Sequence, residues 1–78
     1  MNDTRTRTQA RYQIAVRGSL DAGWANWFGG MTIVRERAGD GSTISTLTGV
    51  VADQSALRGI LCKLWDLNLI LISVTRVG

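Results

Sequence analysis

The chain has 78 residues, a net charge of +3, one cysteine and no histidine. That length gives room for a single domain, and a lone Cys62 excludes an intrachain disulfide. The lack of histidine excludes Ser-His and Cys-His catalytic pairs and argues against a zinc or other transition-metal site. A domain this small has a thin margin of stability, so we expect good packing or self-association to stabilise it.

Residues 1–10 are polar and contain almost no apolar side chains. We predict a flexible basic arm over residues 1–10 and a single α+β domain over residues 11–78. No apolar run is long enough to span a membrane, and the N-terminus lacks the apolar middle of a signal peptide. Together with the lone cysteine, these features favour the cytoplasm and give no reason to expect a membrane partner.

The first predicted element is a strand over residues 11–18. Tyr12, Ile14 and Val16 alternate with polar or small residues, and a period of two is typical of a strand with one wet face. Gly18 ends this strand.

Three large aromatic residues define a short predicted helix after this strand. Asp21 is a suitable N-cap, and Gly29 is a suitable left-handed stop about two turns later. Trp24, Trp27 and Phe28 stand at i, i+3 and i+4 and therefore share one face. A helix this short is not stable alone, so three roles stay open for its aromatic face: core packing, a protein-binding hot spot or a platform for stacking bases.

A hairpin is predicted over residues 31–51. Residues 31–37 and 43–51 are the strands, and residues 38–42 form a turn in which two glycines supply positive φ. The apolar residues of the second strand do not keep a single parity, so we predict a bulge near Gly49.

A longer helix is predicted from Gln54 to Leu67, with Asp53 as its N-cap and Asn68 as its left-handed C′ residue. Its apolar residues recur at helical spacing: Leu57, Ile60, Leu61, Leu64 and Leu67. We expect Cys62 on this helix to be a small buried or half-buried residue.

The last predicted strand, residues 69–77, is apolar on both faces in its first half, which indicates a central strand or an interface. The elements therefore predict an α+β fold, with a small, mainly antiparallel four-stranded sheet packed on one long helix. The short Trp-containing helix lies between strands 1 and 2. Two topologies remain open: a ferredoxin-like βαββαβ order, or a three-strand meander followed by a helix and a fourth strand.

One helix covers only one face of such a sheet. We expect Ala15, Met31 or Thr32, Val34 and one side of the Leu69–Ile72 run on the open face. A half-apolar open face on a small protein is commonly an interface, so we expect a homo-oligomer.

Two motifs carry a resemblance to known proteins. They are the corner Trp24-x-x-Trp27-Phe28 and the helix Asp53-Gln54-x-Ala56-Leu57-x-Gly59-x-Leu61-x-Lys63-Leu64-x-Asp66-Leu67. With the flanking strands, residues 11–77 resemble a group of small bacterial α+β proteins that have no assigned function. Asn68 stands where that group usually has glycine, a harmless exchange at a helix C′ position. The resemblance implies a free-standing domain and brings no catalytic residues.

The carboxylates have structural interpretations. Asp21 and Asp53 cap helices, Asp40 lies in the hairpin turn, and Asp66 is a solvated helix residue. We therefore predict no catalytic, cofactor-binding or metal-binding residues, no cofactor and no enzymatic activity. A small-ligand or enzyme role completed at a subunit boundary ranks last.

The leading functional hypothesis is a non-enzymatic protein-interaction or self-assembly module that acts as a homo-oligomer and has room for a further protein partner. Its interface candidates are Trp24, Trp27, Phe28, Val34, Leu69 and Leu71.

The alternative hypothesis is a nucleic-acid-binding protein that uses the N-terminal arm and the strand arginines. Its candidates are Arg5, Arg7, Arg11, Arg17, Arg35 and Arg37. The last three of these are expected to form a basic strip at one end of the sheet. The charge signal is weak, because Arg5 and Arg7 precede the folded part of the chain.

Overall fold

A computed structural model describes residues 10–78. It contains a four-stranded antiparallel sheet, one α-helix and one 3-10 helix, which confirms the predicted α+β class. The elements in chain order are β1 (Ala10–Arg17), the 3-10 helix (Ala22–Phe28), β2 (Thr32–Arg37), β3 (Thr43–Val51), α1 (Gln54–Asp66) and β4 (Ile70–Arg76). Ala10 is buried in β1, one residue earlier than predicted, and the rest of the predicted arm lies outside the described residues.

The strands lie in the order β2-β3-β1-β4. β1 pairs with β3 on one side and with β4 on the other, whereas β2 pairs with β3. A meander would place β1 beside β2, so that alternative is wrong. After β1, the chain forms the 3-10 helix and enters β2 at the edge of the sheet, two strand positions from β1. The hairpin turn then places β3 between β2 and β1.

Alternation along β1 places its apolar residues on one face of the sheet. Ile14 lies opposite Leu47 of β3, and both side chains are fully buried. Leu57 and Leu64 of α1 and Phe28 of the 3-10 helix pack on the same side and complete the core. The helix thus covers one face of the sheet, as the apolar spacing predicted.

The predicted bulge near Gly49 is wrong. β3 pairs with both neighbours without interruption, placing Leu47 on the core face and Ile44 and Val50 on the open face. The register shift lies instead between β1 and β4, where Ile72 is the extra residue. Glycine at position 49 has a different physical reason, since a Cβ there would lie 3.1 Å from Met31 Cγ.

The predicted helix caps are confirmed. Asp21 accepts a hydrogen bond from Gly23 N, and Gly29 ends the 3-10 helix with φ of 74°. Asp53 accepts from Ala56 N at the start of α1, and Asn68 follows α1 with φ of 63°.

Two smaller expectations are wrong. In the hairpin turn, Gly41 has positive φ and Gly39 does not. The Asp40 carboxylate accepts hydrogen bonds from the backbone N–H and the hydroxyl of Ser42 in this turn. The thiol of Cys62 is exposed rather than buried. Cys62 stands two residues before the buried Leu64, which places it about 200° around the helix from the core.

Candidate interaction surfaces

The face of the sheet opposite α1 is a mixture of threonines and separated apolar residues. Ala15 lies beside Thr46 of β3, and Thr46 lies beside Val34 of β2, so these side chains share the open face as predicted. Thr32 also lies on this face, whereas Met31 is 2% exposed and belongs to the core. The open face is therefore only partly apolar.

The two edges of the sheet differ strongly in chemistry. On the edge strand β2, the run Arg35-Glu36-Arg37 is exposed and charged. On the opposite edge strand β4, the exposed side chains include Ile70, Ile72 and Val74. Charged residues on an edge strand discourage pairing with another chain, whereas an apolar exposed edge permits it.

Trp65 adds a large aromatic side chain beside the apolar edge. It is 53% exposed on α1. Lys63 of the same helix bonds to Trp27 of the 3-10 helix, which packs on β2. Two residues along an α-helix turn about 200°, so Trp65 faces the other flank of α1, toward β4.

The structure divides the predicted interface residues into two groups. Trp24 and Trp27 are about two-fifths exposed, with ring centroids 5.0 Å apart, and Val34 is exposed on the open face. Phe28 is 1% exposed and belongs to the core, so it presents no surface for an interface. Leu69 and Leu71 are half-buried against the core.

Sequence reasoning missed the residues that are most exposed. The predicted interface residues include Leu69 and Leu71 but not Trp65, Ile70, Ile72 or Val74. Simple alternation along β4 could not have found them, because the register shift at Ile72 puts Ile70 beside Arg17 on the open face and Val74 beside Ile14 on the helix face.

An apolar groove of about 430 Å³ lies between α1 and the C-terminal end of β3. Its lining residues are Phe28, Gly29, Val50, Val51, Ala52, Ala56, Gly59, Ile60 and Lys63. Among these lining residues, Lys63 carries a positive charge, and its ammonium group donates a hydrogen bond to Trp27 O at 2.8 Å.

The predicted basic strip is split between the two faces of the sheet. Arg17 lies opposite Ile44 of β3, which lies opposite Glu36 of β2, so Arg17 and Glu36 share the open face. Arg35 and Arg37 therefore point to the helix side. Arg35 bonds there to Ser19 Oγ at 3.4 Å, and both arginines line a shallow polar groove of about 450 Å³.

The other arginine candidates lie apart from this end of the sheet. Arg11 is paired with Val50 near the opposite end of β1. Arg5 and Arg7 lie outside the described residues.

Arg17 is engaged by the hairpin turn. Its guanidinium lies 3.2 Å from a carboxylate oxygen of Asp40 and 2.9 Å from Ser42 Oγ. Hydrogen bonds from the hydroxyl and the backbone N–H of Ser42, and then the bond from Arg17, lower the pKa of Asp40 to about 2. This network is a turn-stabilising arrangement, as expected of Asp40 from the sequence.

A protein-family profile matches residues 11–75, from the second residue of β1 almost to the end of β4. The chain belongs to the family described as Domain of unknown function (DUF8691). The match includes Trp65 and nearly all of the apolar edge, so both features lie within the family domain. Comparison with the curated proteins and with the solved structures found no match.

Two further findings concern the part of the chain from Ala10 onward. It contains no group of three or more His, Cys, Asp or Glu residues placed to hold a metal ion. No helix in the same part has the length and apolar character needed to cross a membrane.

Proposed function

We propose that this domain is a non-enzymatic self-assembly module that works as a homo-oligomer, with a two-fold dimer as the simplest form. The observation that carries the proposal is the contrast between the charged β2 edge and the apolar β4 edge. Ile70 is 62% exposed on β4, and Trp65 is 53% exposed on the β4 flank of α1. A small protein that leaves such side chains together in water gains free energy by burying them against a second copy.

The magnitudes favour association through several side chains together. Completing the burial of one half-exposed Ile or Trp contributes on the order of 1 kcal/mol. Association must offset lost translational and rotational freedom, on the order of several kcal/mol. The apolar residues of β4 and Trp65 of both copies supply contributions of that total size, whereas a single exposed valine such as Val34 does not.

Sedimentation velocity over a wide range of protein concentration tests this proposal. We expect a species with twice the mass of the chain, which is 8.5 kDa. Ile70→Lys on the apolar edge should shift the equilibrium to monomer, because it would bury an ammonium group. Val34→Lys, at a comparably exposed position on β2, is the matched control and should leave the dimer intact. A strict monomer at high concentration would defeat the proposal.

A second proposal concerns the fold. We propose that the domain is a shortened ferredoxin-like arrangement in which the 3-10 helix replaces the first α-helix of the βαββαβ order. The antiparallel order β2-β3-β1-β4 supports this interpretation. Nuclear Overhauser contacts between β1 and both β3 and β4 would support it, and contacts between β1 and β2 would contradict it.

Nucleic-acid binding remains the second candidate function, favoured by one local observation. Arg35 and Arg37 line a shallow polar groove that also includes Ala22 of the 3-10 helix. Trp24 and Trp27 of that helix are exposed and suited to base stacking. We expect a single-stranded oligonucleotide to quench their fluorescence at low salt, and the affinity to fall steeply with salt. No quenching at low salt would remove this candidate.

We also propose that the protein acts in the cytoplasm. The chain has a single cysteine, Cys62, and its thiol is exposed, a usage typical of proteins in a reducing compartment. Cell fractionation tests this location, and isolation of the native protein with Cys62 in an intermolecular disulfide would contradict it.

A further inference from the structure

We propose that the apolar groove between α1 and the C-terminal end of β3 binds a small amphipathic carboxylate. The apolar body of this ligand lies over Gly59, and its carboxylate group pairs with Lys63. The groove is lined by the ends of the 3-10 helix and β3 and by α1, whereas the apolar edge lies on β4. The ligand site is therefore independent of the proposed self-assembly.

The size and the lining of the groove suit a small apolar ligand. Its volume is about 430 Å³, and small-molecule sites generally have about 300–1,000 Å³. Phe28 and Val51 are almost fully buried and form the floor of the groove. Ile60 of α1 is only partly buried and adds apolar surface that a ligand would cover. Removing this surface from water favours binding.

Glycine at position 59 is not required by the fold. Gly59 does not have positive φ, and nothing lies within 4 Å of the position that a Cβ would take. Glycine nevertheless lowers the stability of an α-helix relative to alanine. A residue that breaks a local rule without a packing reason is typical of a functional site. Because glycine has no side chain, a ligand can lie directly against the helix backbone at this position.

The groove-lining residues of α1 share one helix face. Ala56, Gly59, Ile60 and Lys63 stand at i, i+3, i+4 and i+7. Ala56 and Gly59 make the first part of this face low and apolar. Lys63 follows Gly59 by about 6 Å along the helix axis, at 1.5 Å per residue. A ligand whose apolar body crosses Gly59 can therefore reach Lys63 with a polar group at its end.

Lys63 determines the charge of that polar group. It is the one ionisable residue among those that line the groove. Its ammonium group donates one hydrogen bond, to Trp27 O, and an ammonium group has three donors. The ion pair within residues 10–78 joins Arg17 to Asp40 and leaves Lys63 without a carboxylate partner. A ligand carboxylate supplies that partner, whereas a ligand ammonium group would be repelled.

A titration with octanoate, followed in amide NMR spectra, tests the proposal. We expect saturable shifts of the backbone amides of Val51, Ala56 and Gly59. Octanamide has the same apolar body without the charge. It should bind about threefold more weakly, because an exposed ion pair contributes only a modest free energy. Octylamine, which carries the opposite charge, should bind more weakly still.

Gly59→Leu separates binding in the groove from the stability of the fold. Leucine is a good helix former and its side chain enters open space, so circular dichroism should show a folded domain. The same side chain fills the groove and should weaken octanoate binding about tenfold or more. Arg58→Leu, outside the groove on the same helix, is the matched control and should leave the affinity unchanged. Lys63→Met should remove the preference for octanoate over octanamide.

Several results would overturn the proposal. They include the absence of any shift at millimolar octanoate and shifts confined to Trp65 and β4, which would place the ligand on the apolar edge. Equal affinities for octanoate and octanamide would overturn the carboxylate assignment. If Gly59→Leu lowers the sedimenting mass but not octanoate binding, the groove is a contact between copies instead. A monomeric wild-type chain that binds octanoate in the groove would defeat self-assembly and support the ligand site.

Discussion

Lys63 Nζ lies 2.8 Å from the backbone carbonyl oxygen of Trp27, and this hydrogen bond joins α1 to the 3-10 helix. The same ammonium group lies 5.2 Å from the centroid of the Trp27 ring. A 3-10 helix of seven residues has little stability of its own. Its position over β2 therefore depends on tertiary contacts such as this one and on the buried Phe28.

Lys63→Met should destabilise the fold by about 1 kcal/mol, because it removes a charged hydrogen bond and a cation–π contact while keeping the apolar stem. Urea unfolding, followed by tryptophan fluorescence, measures the change. Arg58→Met on the exposed side of the same helix is the matched control and should change the midpoint little. Equal effects of the two variants would show that the bond to Trp27 is energetically unimportant.

Ser45→Ala should be more damaging than its size indicates. Ser45 is fully buried, and its hydroxyl accepts from Leu20 N at 2.9 Å and donates to Gly18 O at 2.7 Å. Removing the oxygen leaves two backbone groups without their partner, which costs roughly 2–4 kcal/mol. Thr46→Ala, on the open face of the same strand, should cost under about 1 kcal/mol by the same unfolding measurement.

The sequence predicted the elements well because their signals are local. Alternation in β1, the caps Asp21 and Asp53, and the left-handed Asn68 each depend on a few neighbouring residues. Strand order depends on contacts between distant segments, and no local pattern could choose between the two topologies. The predicted bulge near Gly49 is wrong for the same reason. Glycine is needed there because Met31, from another part of the chain, packs against it.

The candidate surface was harder to predict than the fold. An apolar strand such as β4 reads equally well as a central strand or as an exposed edge. The strand order shows that β4 is an edge strand, paired with β1 on one side. At this edge Ile70 is largely exposed.

Protonation of Asp40 should weaken the hairpin turn only in strong acid. The pKa of Asp40 is lowered from 3.8 to about 2 by its hydrogen bonds to Ser42 and then by Arg17. A lowered pKa contributes stability that is fully present above pH 3.8 and is lost as pH falls through about 2. A carbon-detected NMR titration of the Asp40 carboxyl group should give a midpoint near 2.

The cause of this shift can be tested separately. Ser42→Ala removes the largest cause and should raise the pKa of Asp40 toward its ordinary value. Arg17→Ala should raise it by a smaller amount, because the bonds from Ser42 remain. If Arg17→Ala has the larger effect, the ion pair rather than the turn hydrogen bonds controls this carboxyl group.

Gly49→Ala should destabilise the protein, although the same exchange commonly stabilises one. Alanine lowers the entropy of the unfolded chain and gains about 0.4–1 kcal/mol where the site accepts it. At Gly49, a Cβ would lie 3.1 Å from Met31 Cγ and 3.3 Å from Met31 Cα. Met31 is 2% exposed and its backbone is part of the contact, so it has little room to move. Overpacking of this kind costs about 1–3 kcal/mol, which outweighs the entropic gain.

Gly59→Ala is the matched control for this prediction. A Cβ at Gly59 meets nothing within 4 Å, and Gly59 lies inside α1. Alanine there should therefore stabilise the fold by about 0.5–1 kcal/mol through helix propensity. The two glycine exchanges are thus expected to shift the urea midpoint in opposite directions. A gain in stability for Gly49→Ala would contradict this prediction. It would mean that Met31 can shift to make room for the Cβ, and that glycine is not required where β3 contacts the chain before β2.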